Sequence, residues 1–267
     1  MNNIRFEIGK KTIERNVASN WNELSLKQLL YVAPRIILQK ESDDLKKELV
    51  WYFINIKDKH LMLMNRSQLE GLFPAVEWLF KDVNLTINLI PVLNLKTRKY
   101  FGPSDELKNI SAAEFAFSDK FMNEFLKKRD EAQLNLLIAT LYRPQFKGVK
   151  KDSPYYKGDI REPFNENTID QRADLFSNLS LNYRLAILAF YLGCRSNISK
   201  QFHDIFNLTK KSKNKKTGWL GFFYELSGDK LGNYHAVANM NLFELLFILR
   251  KMNENAAEAE RKHKKGK

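Results

Sequence analysis

Four histidines, one cysteine and 31 carboxylates are the side chains here that could act as ligands, bases or nucleophiles. His60, His203, His235 and His263 lie far apart, and none has a second ligand one helical turn away, as a metal site requires. His203 and Asp204 are neighbours, but adjacent residues on a helix point in different directions. Cys194 has no partner for an internal disulfide or for a paired metal motif. Arg195 beside it could lower its pKa. Its place after the apolar run Leu185–Leu192 and Gly193 instead reads as a buried structural thiol. Asp43-Asp44 reads as a helix start and Asp58 as a solvated turn. Neither a glycine-rich phosphate loop nor a Gly-x-Ser-x-Gly elbow occurs. No nucleophile is paired with a base, so the expectation is a non-enzyme without catalytic, cofactor-binding or metal-binding residues.

Charge is the next candidate for function. Of the formal +13, ten charges sit in two short segments. Lys210, Lys211, Lys213, Lys215 and Lys216 form one, and Arg261, Lys262, Lys264, Lys265 and Lys267 form the other. The first five are candidates for phosphate contact through counterion release, although solvated lysine runs have the same composition. Tyr155, Tyr156 and Lys157, and Trp219 after the lysine run, could stack bases or could pack inward. No recognition-helix, zinc-finger or ribonucleoprotein pattern accompanies them.

The elements that must hold these residues are mostly helical. Hydrophobic residues make up 44% and aromatics 12%, which excludes disorder of the whole chain. Only 11 Gly and 7 Pro are present, too few for a turn-rich β architecture. Ile4, Phe6 and Ile8 alternate with polar residues before Gly9 and resume at Thr12-Ile13, predicting an N-terminal β-hairpin. Capping boxes are predicted at Ser25–Gln28, Ser67–Glu70, Ser111–Glu114, Thr168–Gln171 and Asn241–Glu244. Helices follow near 26–39, 43–56, 68–82, 112–128, 131–142, 169–178, 181–192, 197–206, 218–227 and 242–262. Pro34 and Pro74 should kink or shorten two of them, and Gly193 should end another as a left-handed cap. Leu85–Ile90 alternates and predicts a short strand. The expected fold is mainly α: a multi-helix globular body with a small N-terminal β-hairpin and a long irregular loop. Its parts are a hairpin over 1–18, a helical body over 19–207, a basic linker over 208–217, and a C-terminal helical segment with a basic tail over 218–267.

Residues 143–167 are the irregular loop, which keeps Phe146, Tyr155, Tyr156 and Phe164. Packed aromatics should pin its ends and leave Lys147–Asp152 loosest. Arg161, between Asp159 and Glu162, is expected to pair locally. The longest apolar run is too short to span a bilayer, and Met1–Glu7 lacks a signal-peptide core.

Several phrases carry a resemblance. Trp21-Asn22-Glu23-Leu24-Ser25-Leu26-Lys27-Gln28-Leu29-Leu30 is followed by Tyr100-Phe101-Gly102-Pro103-Ser104-Asp105-Glu106-Leu107. Leu141-Tyr142-Arg143-Pro144 and then Gly158-Asp159-Ile160-Arg161-Glu162-Pro163-Phe164-Asn165 complete the order. Across residues 20–205 the chain resembles uncharacterised tail-region proteins of Bacteroidetes-type phages and prophages, some of which look like tail assembly chaperones. The resemblance implies a phage structural or assembly protein acting by protein–protein contact on a tail protein such as the tape-measure protein. It would act in the host cytoplasm during assembly, or be retained in the virion. The alternative is a nucleic-acid-associated virion or accessory protein using the lysine-rich segments, with weak nucleic-acid binding. A chaperone needs an apolar surface for its client. Phe243 and Phe247, in the apolar stretch Leu242–Leu249, are the first candidates for partner contact, unless that helix is core. Tyr155 and Tyr156 are the second pair, should the long loop be free.

Overall fold

The structure, a computed structural model, describes residues 1–8, 11–55, 64–95, 98–150, 152–154, 156, 158–211, 218–228 and 231–265. The fold is mainly α, with a small two-stranded N-terminal sheet, as expected. It divides into two compact units, one of residues 1–89 with 180–196, the other of 90–179 with 197–267. Each discontinuous unit therefore draws on distant parts of the chain.

The first unit opens with the antiparallel hairpin Asn2–Ile8 and Lys11–Val17, in register from Asn2 opposite Val17 to Ile8 opposite Lys11. Helix Leu26–Leu38 starts at a complete Ser25–Gln28 capping box and runs through Pro34. Ser42 caps helix Asp43–Ile54. Next comes Arg66–Glu70, whose capping box is Asn65–Gln68, two residues before the Ser67–Glu70 pair expected. Glycine and proline break the expected 68–82 helix, so Pro74–Glu77 and a 3-10 turn at Trp78–Phe80 form separate pieces. Trp21, fully buried, meets Trp78 edge-on at 6.3 Å.

Two expectations fail here, both at the segment that begins with Leu85. Gly193 does not end a helix; it lies inside Leu181–Gln201. A Cβ at that position would stand 2.2 Å from the Leu85 carbonyl oxygen, so glycine serves close approach of helix to backbone. Leu85–Ile90 is not a strand. The Asn22 carboxamide accepts from the Thr86 and Ile87 N–H groups at 2.8 and 3.2 Å and donates to the Thr86 hydroxyl at 3.0 Å. Side-chain bonding has taken the donors a neighbouring strand would use.

The second unit contains a sheet the sequence reading did not foresee. Val92–Leu95 pairs with Arg98–Phe101, which pairs with Arg143–Pro144. Helices Ala112–Lys128, Glu131–Leu141 and Ile169–Phe176 follow the expected positions closely. The Ser111–Glu114 capping box is complete. Thr168 makes no capping bond, because its hydroxyl donates to the Asn165 carbonyl at 2.8 Å and accepts from Arg172. Helices His203–Lys211, Gly218–Leu226, Tyr234–Asn239 and Leu242–Lys265 complete the unit. Trp219 is buried, with Phe206 at 4.7 Å and Phe115 at 5.3 Å between ring centroids. That ring is core, not an open stacking platform.

Candidate interaction site

The long loop is fastened by arginines more than by aromatics. Arg143 and Pro144 join the sheet, Gln145 bridges Arg161, and Phe146 N–H donates to the Ile160 carbonyl at 2.8 Å. Phe146 itself is 45% exposed, against the expectation that it would pin the loop. Phe164 packs on Phe117 at 5.6 Å. Val149, within the supposedly loose tip, is buried, and Gln145 Nε2 donates to its carbonyl at 2.6 Å.

Beneath the loop lie four charged side chains. Glu114 occupies the third position of a capped helix, so Ser111 fixes it; its carboxylate is 1% exposed. Its Oε1 stands 2.7 Å from both Arg143 Nη1 and Arg161 Nη1. Asp159 accepts from Arg161 Nε at 2.9 Å and from Nη2 at 2.7 Å. The remaining Arg161 donors go to the Leu141 carbonyl at 2.7 Å and the Asn109 carbonyl at 3.2 Å. Arg143 Nε and Nη1 donate to the carbonyls of Glu162 and Thr140 at 2.7 and 3.0 Å. Arg161 thus pairs locally with Asp159, as expected, but its buried partner is Glu114. Glu162 pairs with Arg98 instead, at 3.1 Å.

Electrostatics separates the two guanidiniums. Burial pushes both down, and the neighbouring Arg161 charge lowers Arg143 further despite Glu114, leaving it below its ordinary value. For Arg161 the attraction of Glu114 and Asp159 outweighs burial and leaves it raised. Two cations and two carboxylates balance, and all five N–H groups of Arg161 are occupied by protein acceptors. This quartet is a fastening between a loop and a helix start.

A cavity of about 1000 Å³ opens beside it, lined also by Phe146, Val149, Phe164 and Asn241. The Ser111 hydroxyl is engaged as a helix cap. Phe146, Phe164 and Lys147 on this lining offer a ligand aromatic surface and an ammonium. Among the described residues, no group of three His, Cys, Asp or Glu could hold a metal. No helix among them is long and apolar enough to cross a membrane.

The residues expected to carry partner contact are scattered. Tyr155 lies outside the described residues, as do Lys213, Lys215 and Lys216. Tyr156 is half-buried. Lys210 and Lys211 close helix His203–Lys211. In the terminal helix, Leu242, Leu245, Leu246 and Leu249 are buried in helical periodicity. Phe243 is half-buried, 6.3 Å from Phe202. Phe247 is 56% exposed, with Lys251 Nζ 5.9 Å from its ring. This apolar stretch is therefore largely core, and Phe247 is its outward residue. Glu114, Arg143 and Asp159 were missed as a cluster, since only spatial proximity joins them. Comparison with family models, with curated proteins and with solved structures finds no match.

Proposed function

We propose that this protein is a phage assembly factor acting by protein–protein contact, similar to a tail assembly chaperone, whose client meets the terminal helix at Phe247. The class of partner, a helical tail protein such as the tape-measure protein, rests on the resemblance of the sequence phrases to phage tail-region proteins. The observation that carries the surface is Phe247, a large aromatic 56% exposed on a helix whose Leu242, Leu245, Leu246 and Leu249 are buried. A helical client would lay its own apolar stripe against such a side chain. In this reading the protein works in the host cytoplasm while the tail is built.

Co-expression with the tape-measure protein tests the reading. Phe247→Asp should abolish co-purification and leave the melting temperature within about 2 °C, because exposed substitutions change stability little. Phe243→Ala should lower stability by about 1–2 kcal/mol, as loss of a half-buried ring does. Retention of the client by Phe247→Asp would reject this surface.

A further inference from the structure

A second cavity, of about 620 Å³, is lined by Lys147, Pro163, Phe164, Thr168, Arg172 and His235 among others. Arg172 is 9% exposed. Its Nε donates to the Ala139 carbonyl at 3.0 Å and its Nη1 to the Thr168 hydroxyl. Nη2 is sealed beneath the surface with no hydrogen-bond partner among the described residues. Arg143 and Arg161 each meet two carboxylates within 4 Å; among the described residues Arg172 has no such ion pair. Burial, reinforced by the Arg143 charge and only partly offset by the more distant Glu162 and Glu114 carboxylates, pushes Arg172 down to about 10, so it is still a cation at neutral pH. A buried cation held only by neutral acceptors lacks the charge partner that such groups ordinarily have. Lys147 is exposed and has no ion pair among the described residues. Of the two glutamates on the lining, Glu162 is spent on Arg98, leaving Glu166 as the opposing charge. Phe164 and Pro163 give the same cavity an apolar wall. Its volume suits a small ligand or one end of a chain.

We propose that this cavity binds a carboxylate attached to an apolar group, with Arg172 and Lys147 as its charge partners and Phe164 and Pro163 against its apolar part. The carboxylate would seat beside Thr168; because the guanidinium is planar, bringing Nη2 to it moves the whole group, exchanging the Ala139 and Thr168 bonds for a paired carboxylate. The source is either a free small carboxylic acid or the C-terminal carboxylate of a peptide. The site does not depend on the client surface at Phe247.

The test is a ligand-observed NMR titration of the full chain at low salt. Its probes are 3-phenylpropionate, a short peptide ending in a free Phe carboxylate, the same peptide amidated, and inorganic phosphate. Saturable binding of 3-phenylpropionate or of the free-acid peptide, with the amide clearly weaker, supports the site. Whichever of the two binds more tightly identifies the source. Arg172→Met should weaken binding at least about tenfold, the effect of losing a charged hydrogen bond. Since Arg172→Met removes two internal bonds, Lys147→Gln and Glu166→Gln provide independent readings. Lys147→Gln should weaken binding by about two- to fivefold and Glu166→Gln should strengthen it by a similar factor. No saturation with either carboxylate, equal binding of the amide, binding of phosphate alone, or a Lys147/Glu166 pair with no effect would overturn the proposal.

Discussion

The long loop and the terminal helix reverse each other's patterning. In the terminal helix the apolar residues Leu242, Leu245, Leu246 and Leu249 turn inward. Its charged end, with Arg261, Lys262 and Lys264, is exposed. In the loop the charged Arg143 and Arg161 are buried while the aromatic Phe146 is 45% exposed. A helix obtains its backbone hydrogen bonds internally and needs only an apolar stripe to dock. An irregular loop must find partners for its carbonyls elsewhere, and arginine, with five donors, can serve several at once. That is why Arg161 spans the Leu141 and Asn109 carbonyls as well as two carboxylates.

The sharpest way to break this contrast is to remove the shared counter-ion. Glu114→Gln would leave Arg143 and Arg161 buried against Asp159 alone. We expect a loss of about 3–5 kcal/mol in urea unfolding, the usual cost of breaking a buried pair from one side. The loop should then be cut readily at Lys147 and Lys150. In the double variant Glu114→Met, Arg143→Met, the remaining Arg161 and Asp159 balance, so part of that loss should return. A double variant no better than the single one would mean that carbonyl bonding, not charge balance, holds the loop.

Steric fit gives a second, smaller effect that should leave the loop alone. Gly193→Ala places its Cβ 2.2 Å from the Leu85 carbonyl oxygen and 2.4 Å from its nitrogen. Backbone must shift, and overpacking of this kind costs about 1–3 kcal/mol. Unfolding should show that loss, with cleavage at Lys147 unchanged because Gly193 and the loop lie in different units. Increased cleavage there would show that the two regions are coupled.

These two sites also mark where the sequence could be read and where it could not. Capping boxes at Ser25 and Ser111 were legible because donor and acceptor lie three residues apart. Helix positions were legible wherever apolar spacing was regular, as in Ala112–Lys128. Gly193 was misread because glycine in a helix and glycine after one look alike until Leu85 is beside it. The sheet of Val92–Leu95, Arg98–Phe101 and Arg143–Pro144 has strands of two to four residues, too short for alternation to show. Glu114 announced itself as a capping glutamate and nothing more. Its arginines stand 29 and 47 residues away, beyond any local pattern. Asp159 was readable, being two residues from Arg161.

The smallest expected effect tests how the terminal helix is held by charge. Arg250 Nη2 lies 3.1 Å from Asp204 Oδ1, and it also donates to the Gln201 carbonyl. Its guanidinium sits 4.4 Å over the Phe202 ring. Burial pushes the Asp204 carboxyl up, but the Arg250 hydrogen bond and charge outweigh it and hold the carboxyl below its ordinary 3.8. A carboxylate whose folded pKa is depressed stabilises the fold above the unfolded value and loses that contribution as pH falls through the folded value. Both side chains are about a quarter to a third exposed, at 28% and 30%, so the pair is worth at most about 1 kcal/mol. Carboxyl NMR should therefore find Asp204 titrating below 3.8 in the wild type and higher in Arg250→Gln. Amide protection around Leu246 and Leu249 should decline modestly below that pH in the wild type, while Arg250→Gln shows the lower protection already at neutral pH. If Arg250→Gln leaves the Asp204 titration unmoved, apolar burial alone holds this helix, and its contrast with the arginine-fastened loop becomes complete.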